Sequence, residues 1–115
     1  MRVLVHPAAA ELAGLPESEQ AVMDHAFEKL EAPGARLPFP HQSHVRGVLG
    51  LRELRPRGGR SRWRAFFRRF GQAMVIGAIG PEAKIDRGGF ARAVATAQVR
   101  LEQVEADGAG VANER

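Results

Sequence analysis

Nine arginines (Arg46, Arg52, Arg55, Arg57, Arg60, Arg62, Arg64, Arg68 and Arg69) stand between residues 46 and 69 against one acid, Glu53. Val48, Leu49, Leu51, Leu54, Trp63, Phe66, Phe67 and Phe70 are threaded among them. A solvated basic tail has no such interleaving, because it has no apolar face to bury. Charged and apolar residues mixed over this length are what strands of a sheet require. The charge is therefore mounted on a folded surface, and a surface of that kind points to a polyanion, above all nucleic acid.

The rest of the composition sets the frame for that sheet. A chain of 115 residues, 44% apolar and 26% charged, suits one domain with a modest core. Cysteine is absent, which excludes disulfides, thiolate metal sites and cysteine nucleophiles and is compatible with a reducing cytoplasm. Met1 to Pro7 is too short for a signal segment and no apolar run approaches spanning length, so the expectation is a soluble cytoplasmic protein without membrane contact. Residues 8 to 32 hold six acids (Glu11, Glu17, Glu19, Asp24, Glu28 and Glu31) and one lysine. One face should thus be acidic, read as an ordinary solvated surface, and another strongly basic.

Arg2 to Val5 predicts a short strand stopped by Pro7, and Ala8 to Leu15 a helix punctuated by Pro16. Ser18 is a candidate N-cap for a second helix in which Val22, Ala26 and Leu30 form a stripe flanked by Met23 and Phe27, ended by Pro33-Gly34. The prolines of Leu37-Pro38-Phe39-Pro40-His41 dictate an extended connector. Val48 to Arg55, Ser61 to Phe70 and Ala73 to Ile79 predict an antiparallel meander, broken by Gly80-Pro81. A last helix is expected from Arg87 to Ala106, with Phe90, Val94, Ala97, Leu101 and Val104 as its apolar seam and Asp107-Gly108 as its stop. The order β-α-α-β-β-β-α describes an α+β sandwich, helices on one side of a mostly antiparallel sheet. Residues 1 to 107 form the single domain and residues 108 to 115 a flexible tail.

Three stretches, Leu37-Pro38-Phe39-Pro40-His41, Gly50-Leu51-Arg52-Glu53-Leu54-Arg55 and Arg62-Trp63-Arg64-Ala65-Phe66-Phe67, resemble the phage-derived, HigB-type branch of the RelE/ParE toxin superfamily. The likeness runs from about residue 2 to residue 106. It implies a RelE-like microbial-ribonuclease sandwich, a type II toxin and ribosome-dependent cleavage of mRNA. It also implies a cognate antitoxin, often of helix-turn-helix type, in a hetero-oligomer. Two features depart from the pattern. Members carry two or three lysines and a Thr-Pro helix start after the last strand, whereas this chain has Gly80-Pro81-Glu82-Ala83-Lys84-Ile85-Asp86. Tyrosine is absent, so the tyrosine that some members use in catalysis has no counterpart. Both departures bear on catalysis more than on fold.

Metal-independent RNA cleavage uses the 2′-hydroxyl as nucleophile and needs a base, an acid and cations around the phosphorane. Arg55 ends one strand and Arg64 sits in the next, so a tight hairpin could bring both guanidiniums beside one phosphate, and the resemblance places functional arginines at these two positions. The bland alternative is that each pairs with a carboxylate, Glu53 being the one nearby in sequence. Arg62 shares a strand face with Arg64 and that face is expected to open to a cleft, while Trp63, Ala65 and Phe67 meet the helices. Trp63 is read as core, with base stacking as the other possibility. Arg46, Arg52, Arg57, Arg60 and Arg62 serve as further RNA phosphate contacts. Lys84, the survivor of the lysine cluster, and His41, in the family's histidine position, are the candidate proton-transfer groups. An exposed loop lysine and a structural histidine are equally good accounts of those two. His25 and His6 are read as incidental. No metal site or cofactor is expected, because the four histidines are scattered and the glycines form no phosphate loop. Two other functions suit the same surface: a non-catalytic nucleic-acid-binding relative of the toxin, and a ParE-like gyrase inhibitor.

Overall fold

A computed structural model describes residues 2–31 and 37–107. The elements are β1 (Arg2–Val5), α1 (Glu11–Gly14), α2 (Glu17–Glu31), β2 (Gln42–His44), β3 (Arg52–Leu54), a tight turn (Pro56–Gly59), β4 (Trp63–Phe70), β5 (Ala73–Pro81) and α3 (Arg87–Ala106). The fold is α+β, built on a five-stranded sheet of order β1-β5-β4-β3-β2. Neighbours run antiparallel except β1, which lies parallel to β5 with Val3 opposite Met74 and Val5 opposite Ile76.

The long β4–β5 hairpin carries the architecture. Along β4, Trp63, Ala65 and Phe67 point one way and Phe66 the other, because successive side chains alternate across a strand. Ala65 and Phe67 pack with Met23, Ala26 and Leu30 of α2, while Phe66 packs with Ala93, Val94, Ala97 and Leu101 of α3. The helices therefore lie on opposite faces, which corrects the expectation that they share one side. This also explains why β5 reads as a continuous run without a charged residue: a strand buried on both faces has no polar side to display. Gly80 permits the close seat of α3, since a Cβ there would stand 2.4 Å from the Cβ of Ala93. Between Phe66 and Phe67 the register slips, with Phe66 opposite Ala78 and Phe67 opposite Ile76, so Gly77 is the extra residue of a bulge.

Local chemistry accounts for other departures. The first helix is one turn, Glu11–Gly14, shorter than the alanine content of residues 8 to 15 suggested. Pro16, not Ser18, opens α2: its carbonyl accepts from the amides of Glu19 and Gln20, both at 2.9 Å, and Ser18 lies inside the first turn. The expected strand from Val48 is confined to Arg52–Leu54, because residues 45 to 51 form turns closed by Val48 N to Val45 O and Leu51 N to Val48 O, both 3.2 Å. The connector supplies the missing partner, β2, pairing Gln42 with Leu54 and His44 with Arg52. β5 runs on through Gly80 to Pro81. The Gly88-Gly89 opening of α3 is compensated by Asp86, whose side chain accepts from Gly89 N at 2.9 Å. Pro33-Gly34, Gly108 and the tail fall outside the described residues. Among the described residues no helix is long and apolar enough to cross a membrane.

Candidate nucleic-acid interface

Arg64 is the most buried charge of the segment, with 1% of its surface exposed. It sits at even register in β4, opposite Gly80, where both faces of the sheet are covered. A guanidinium there must find partners inside, and it has five. Nη1 donates to the carbonyls of Ser61 (2.6 Å) and Trp63 (3.0 Å), and Nη2 to the carbonyl of Gly59 (3.2 Å) and to Glu82 Oε2 (2.5 Å). Nε stands 2.9 Å from Glu53 Oε2 in an ion pair that falls short of an aligned hydrogen bond. Burial, and then the neighbouring Arg55, pull the Arg64 guanidinium below the usual arginine range, against the opposing pull of Glu53 and Glu82. The expectation that this face opens to a cleft is corrected: Arg64 faces inward and braces the 59–63 backbone.

Arg55 is brought close to Arg64, as the hairpin argument required, but what stands between them is Glu53. Its Oε2 lies 3.7 Å from Arg55 Nη1 and 2.9 Å from Arg64 Nε. Arg55 is only half-buried and is fixed from three further directions. Its Nε donates to Pro40 O at 2.9 Å, its Cζ lies 5.5 Å from the Phe39 ring centroid, and its amide donates to His41 O at 2.8 Å. Gly59, at φ +94°, makes room for it, since a Cβ there would come within 2.9 Å of Arg55 Nη2.

Arg55 opens on its other side into a hollow of about 360 Å³ between α2 and the turn. The lining includes Val22, His25, Ala26 and Lys29 of α2, Leu37 and His41 of the connector, and Leu54, Arg55, Pro56, Arg57 and Arg60. Among the described lining residues six side chains are basic and none is a carboxylate. The turn that presents the arginines is strained: Arg57 holds φ 57° and ψ 33°, a left-handed conformation that costs a residue with a Cβ about 1–2 kcal/mol. Arg60 Nε donates to Arg57 O at 3.1 Å, and Ser61 Oγ donates to Glu19 Oε1 at 3.0 Å, tying the turn to α2. His41 packs its ring against Gly58, whose built Cβ would lie 3.7 Å from His41 Cε1.

The remaining predicted site residues are dispersed. Arg52 donates to Gln42 Oε1 at 3.3 Å within the β2–β3 pair, and Arg46 is exposed in the β2–β3 connection. Arg62 is exposed and lies over the Trp63 ring at 5.6 Å. Lys84 is exposed in the turn between β5 and α3 and does not line the hollow. Trp63 packs against the α2-side core, with its Nε1 buried and without a partner among the described residues. Among those residues no three His, Asp or Glu side chains cluster as a metal set. His25 and Lys29 line the hollow although sequence reading gave them no role. The available signal was spacing: Ala21, His25 and Lys29 recur at i, i+4 and i+8 beside the buried stripe of Met23, Ala26 and Leu30.

A second hollow, about 420 Å³, lies between α1 and α3. It is occupied by structure of its own, since Glu11 accepts from Ile79 N (3.2 Å) and from Arg100 Nη1 (3.0 Å), which also donates to Gly77 O (3.0 Å). These bonds cap the stretch of β5 that outruns β1.

The family described as phage derived protein Gp49-like matches residues 10–79, more than half of the chain and all of the residues named here around the basic hollow. No curated protein matches the chain.

Proposed function

This chain belongs to the Gp49-like family, a RelE-like and toxin–antitoxin-associated one, and from that premise we propose that it is the toxin of a type II pair, of HigB type, acting as a ribosome-dependent mRNA endoribonuclease. One observation carries the reading: a hollow ringed by Arg55, Arg57, Arg60, Lys29, His25 and His41, with no carboxylate among the described residues of its lining. A sugar-phosphate chain laid there brings its phosphates to guanidiniums that offer paired donors, the arrangement that suits phosphate best. The 2′-hydroxyl of the substrate is the nucleophile, and Arg55 with Arg57 and Arg60 stabilises the phosphorane. His41 is at hand for proton transfer. Arg64 acts at one remove, holding the backbone of the turn, and Lys84 has no part in this arrangement. The partners are mRNA on the ribosome and an antitoxin that silences the toxin in the cytoplasm.

A second reading, a non-catalytic nucleic-acid-binding relative, draws support from the burial of Arg64 and the remoteness of Lys84, which remove two of the catalytic candidates. Induced expression followed by mapping of mRNA 5′ ends, with and without the neighbouring reading frame, separates the readings. Codon-phased cuts that the neighbouring frame suppresses support the nuclease. Growth unaffected and mRNA intact favours the binder, and intact mRNA with damaged DNA would move the assignment to gyrase.

A further inference from the structure

We propose that His41 and His25 are the general base and general acid of RNA cleavage, acting from opposite walls of the basic hollow. This rests on the nuclease reading and supplies what that reading lacks, a second proton-transfer group. Both imidazoles line the same hollow, His41 from the connector beside β3 and His25 from α2. Among the described residues they are the two imidazoles of the lining, and imidazole is the side chain most often used for catalytic proton transfer. Neither ring nitrogen of His41 has a partner among the described residues, and its backbone is pinned by His41 N to Pro38 O (2.8 Å) and Arg55 N to His41 O (2.8 Å). Among the described residues His25 has one polar partner: its Nδ1 is 3.5 Å from Glu28 Oε1, which leaves Nε2 for the substrate. His25 thus has beside it a carboxylate able to pair with an imidazolium, whereas His41 faces Arg55, Arg57 and Arg60 and no carboxylate in the lining. Lys29, one turn from His25, adds a further cation to the lining, and Glu53 stands behind Arg55 at 3.7 Å.

The step balances without any co-reactant. Neutral His41 takes the proton of the 2′-hydroxyl as that oxygen bonds to phosphorus. The bond from phosphorus to the 5′-oxygen breaks, and the departing oxygen takes the proton of the His25 imidazolium. The products are a 2′,3′-cyclic phosphate and a 5′-hydroxyl, with the two histidines left in exchanged protonation states. A proton relay through solvent then resets them.

The test is single-turnover cleavage by the full chain of an end-labelled mRNA on programmed ribosomes and, in parallel, of the free single-stranded RNA. His41→Asn and His25→Asn should each slow cleavage by about 10²–10⁴-fold. The double variant should be scarcely slower than either single one, because the pair works as a unit. Rate against pH should be bell-shaped for the wild type, with His41→Asn losing the acid-side limb and His25→Asn the alkaline-side limb. A substrate with a 2′-deoxy group at the cut site should bind all forms equally, and thermal unfolding should show the variants folded. If either variant cuts at the wild-type rate while Arg55→Ala is inactive, the pair is wrong and the nuclease reading survives. If the wild type cuts neither substrate, both fall together.

Discussion

Arg64→Ala separates a brace from a group that touches substrate. The substitution removes a cation that is 1% exposed and strands Glu53, itself 7% exposed, together with three carbonyl acceptors at Gly59, Ser61 and Trp63. Breaking one side of a buried ion pair costs about 3–5 kcal/mol, because the surviving charge is left without compensation. Two features move the expectation to the lower end. Arg55 stays 3.7 Å from Glu53, and the Glu82 side chain, 22% exposed, can turn to water. The expected loss is therefore about 3 kcal/mol, which for a domain of this size lowers Tm by roughly 10 °C or more. Urea unfolding at neutral pH, followed through Trp63 fluorescence, reads it as a lower midpoint at unchanged slope. The deficit should shrink on acidification, since protonation of a stranded buried carboxylate relieves its desolvation. Pairing Arg64→Met with Glu53→Gln should recover part of the loss by removing the uncompensated charge. Wild-type stability in Arg64→Ala together with abolished toxicity would refute this account and return Arg64 to the substrate.

Further outcomes follow from other contacts. Burial, and then Arg100, lower the His6 pKa, and its Nδ1 accepts from Ala8 N at 3.0 Å. The unfolded chain then binds the extra proton first, so stability is full above the unfolded value of about 6.5 and declines as pH falls through it. His6→Asn, which keeps an acceptor for the amide two residues on, should flatten that slope in denaturation curves taken across it. Arg57→Gly should leave stability unchanged or raise it by up to about 1 kcal/mol by relieving the left-handed strain. The same change should weaken RNA binding and reduce its salt dependence by about one unit of slope, as filter binding at several salt concentrations would show. Gly80→Ala should destabilise by about 1–3 kcal/mol, because α3 must move to admit the methyl group. Adding Ala93→Gly should restore much of it, and melting temperatures of the single and double variants decide.

The strands β1, β4 and β5, the α3 seam and the basic character of the 46–69 segment were legible because each is a local pattern, whereas β2 and the short span of β3 were not. The coverage of both sheet faces was not, since the uncharged run of β5 fits one helical layer or two until Phe66 and Phe67 of its partner β4 are seen to meet different helices. The partner of Arg64 was hidden for a related reason: Glu53 lay in view, but Glu82 is 18 residues away and arrives only through the β4–β5 pairing. His25 and Lys29 were masked by the acidic average of their helix, although their spacing marked a separate face.

The charge count itself overstates the binding surface, and the cause is geometric. A strand within a doubly covered sheet sends alternate residues into one layer or the other, so an arginine in its middle is buried or must reach a layer edge. Arg64 is consumed by Glu53 and Glu82, and Arg68 comes within 3.8 Å of Glu105. Arg57 and Arg60 escape, and Arg55 does so on one side only, because they lie where β3 ends and the chain turns before β4, off the ladder and beside a wall of α2. The interleaving that lets the segment fold thus assigns Arg64 and Arg68 to structure and leaves the turn arginines for a ligand. Removing charge at Arg57 or Arg60 should reduce affinity with little loss of stability, and removing it at Arg64 should do the reverse.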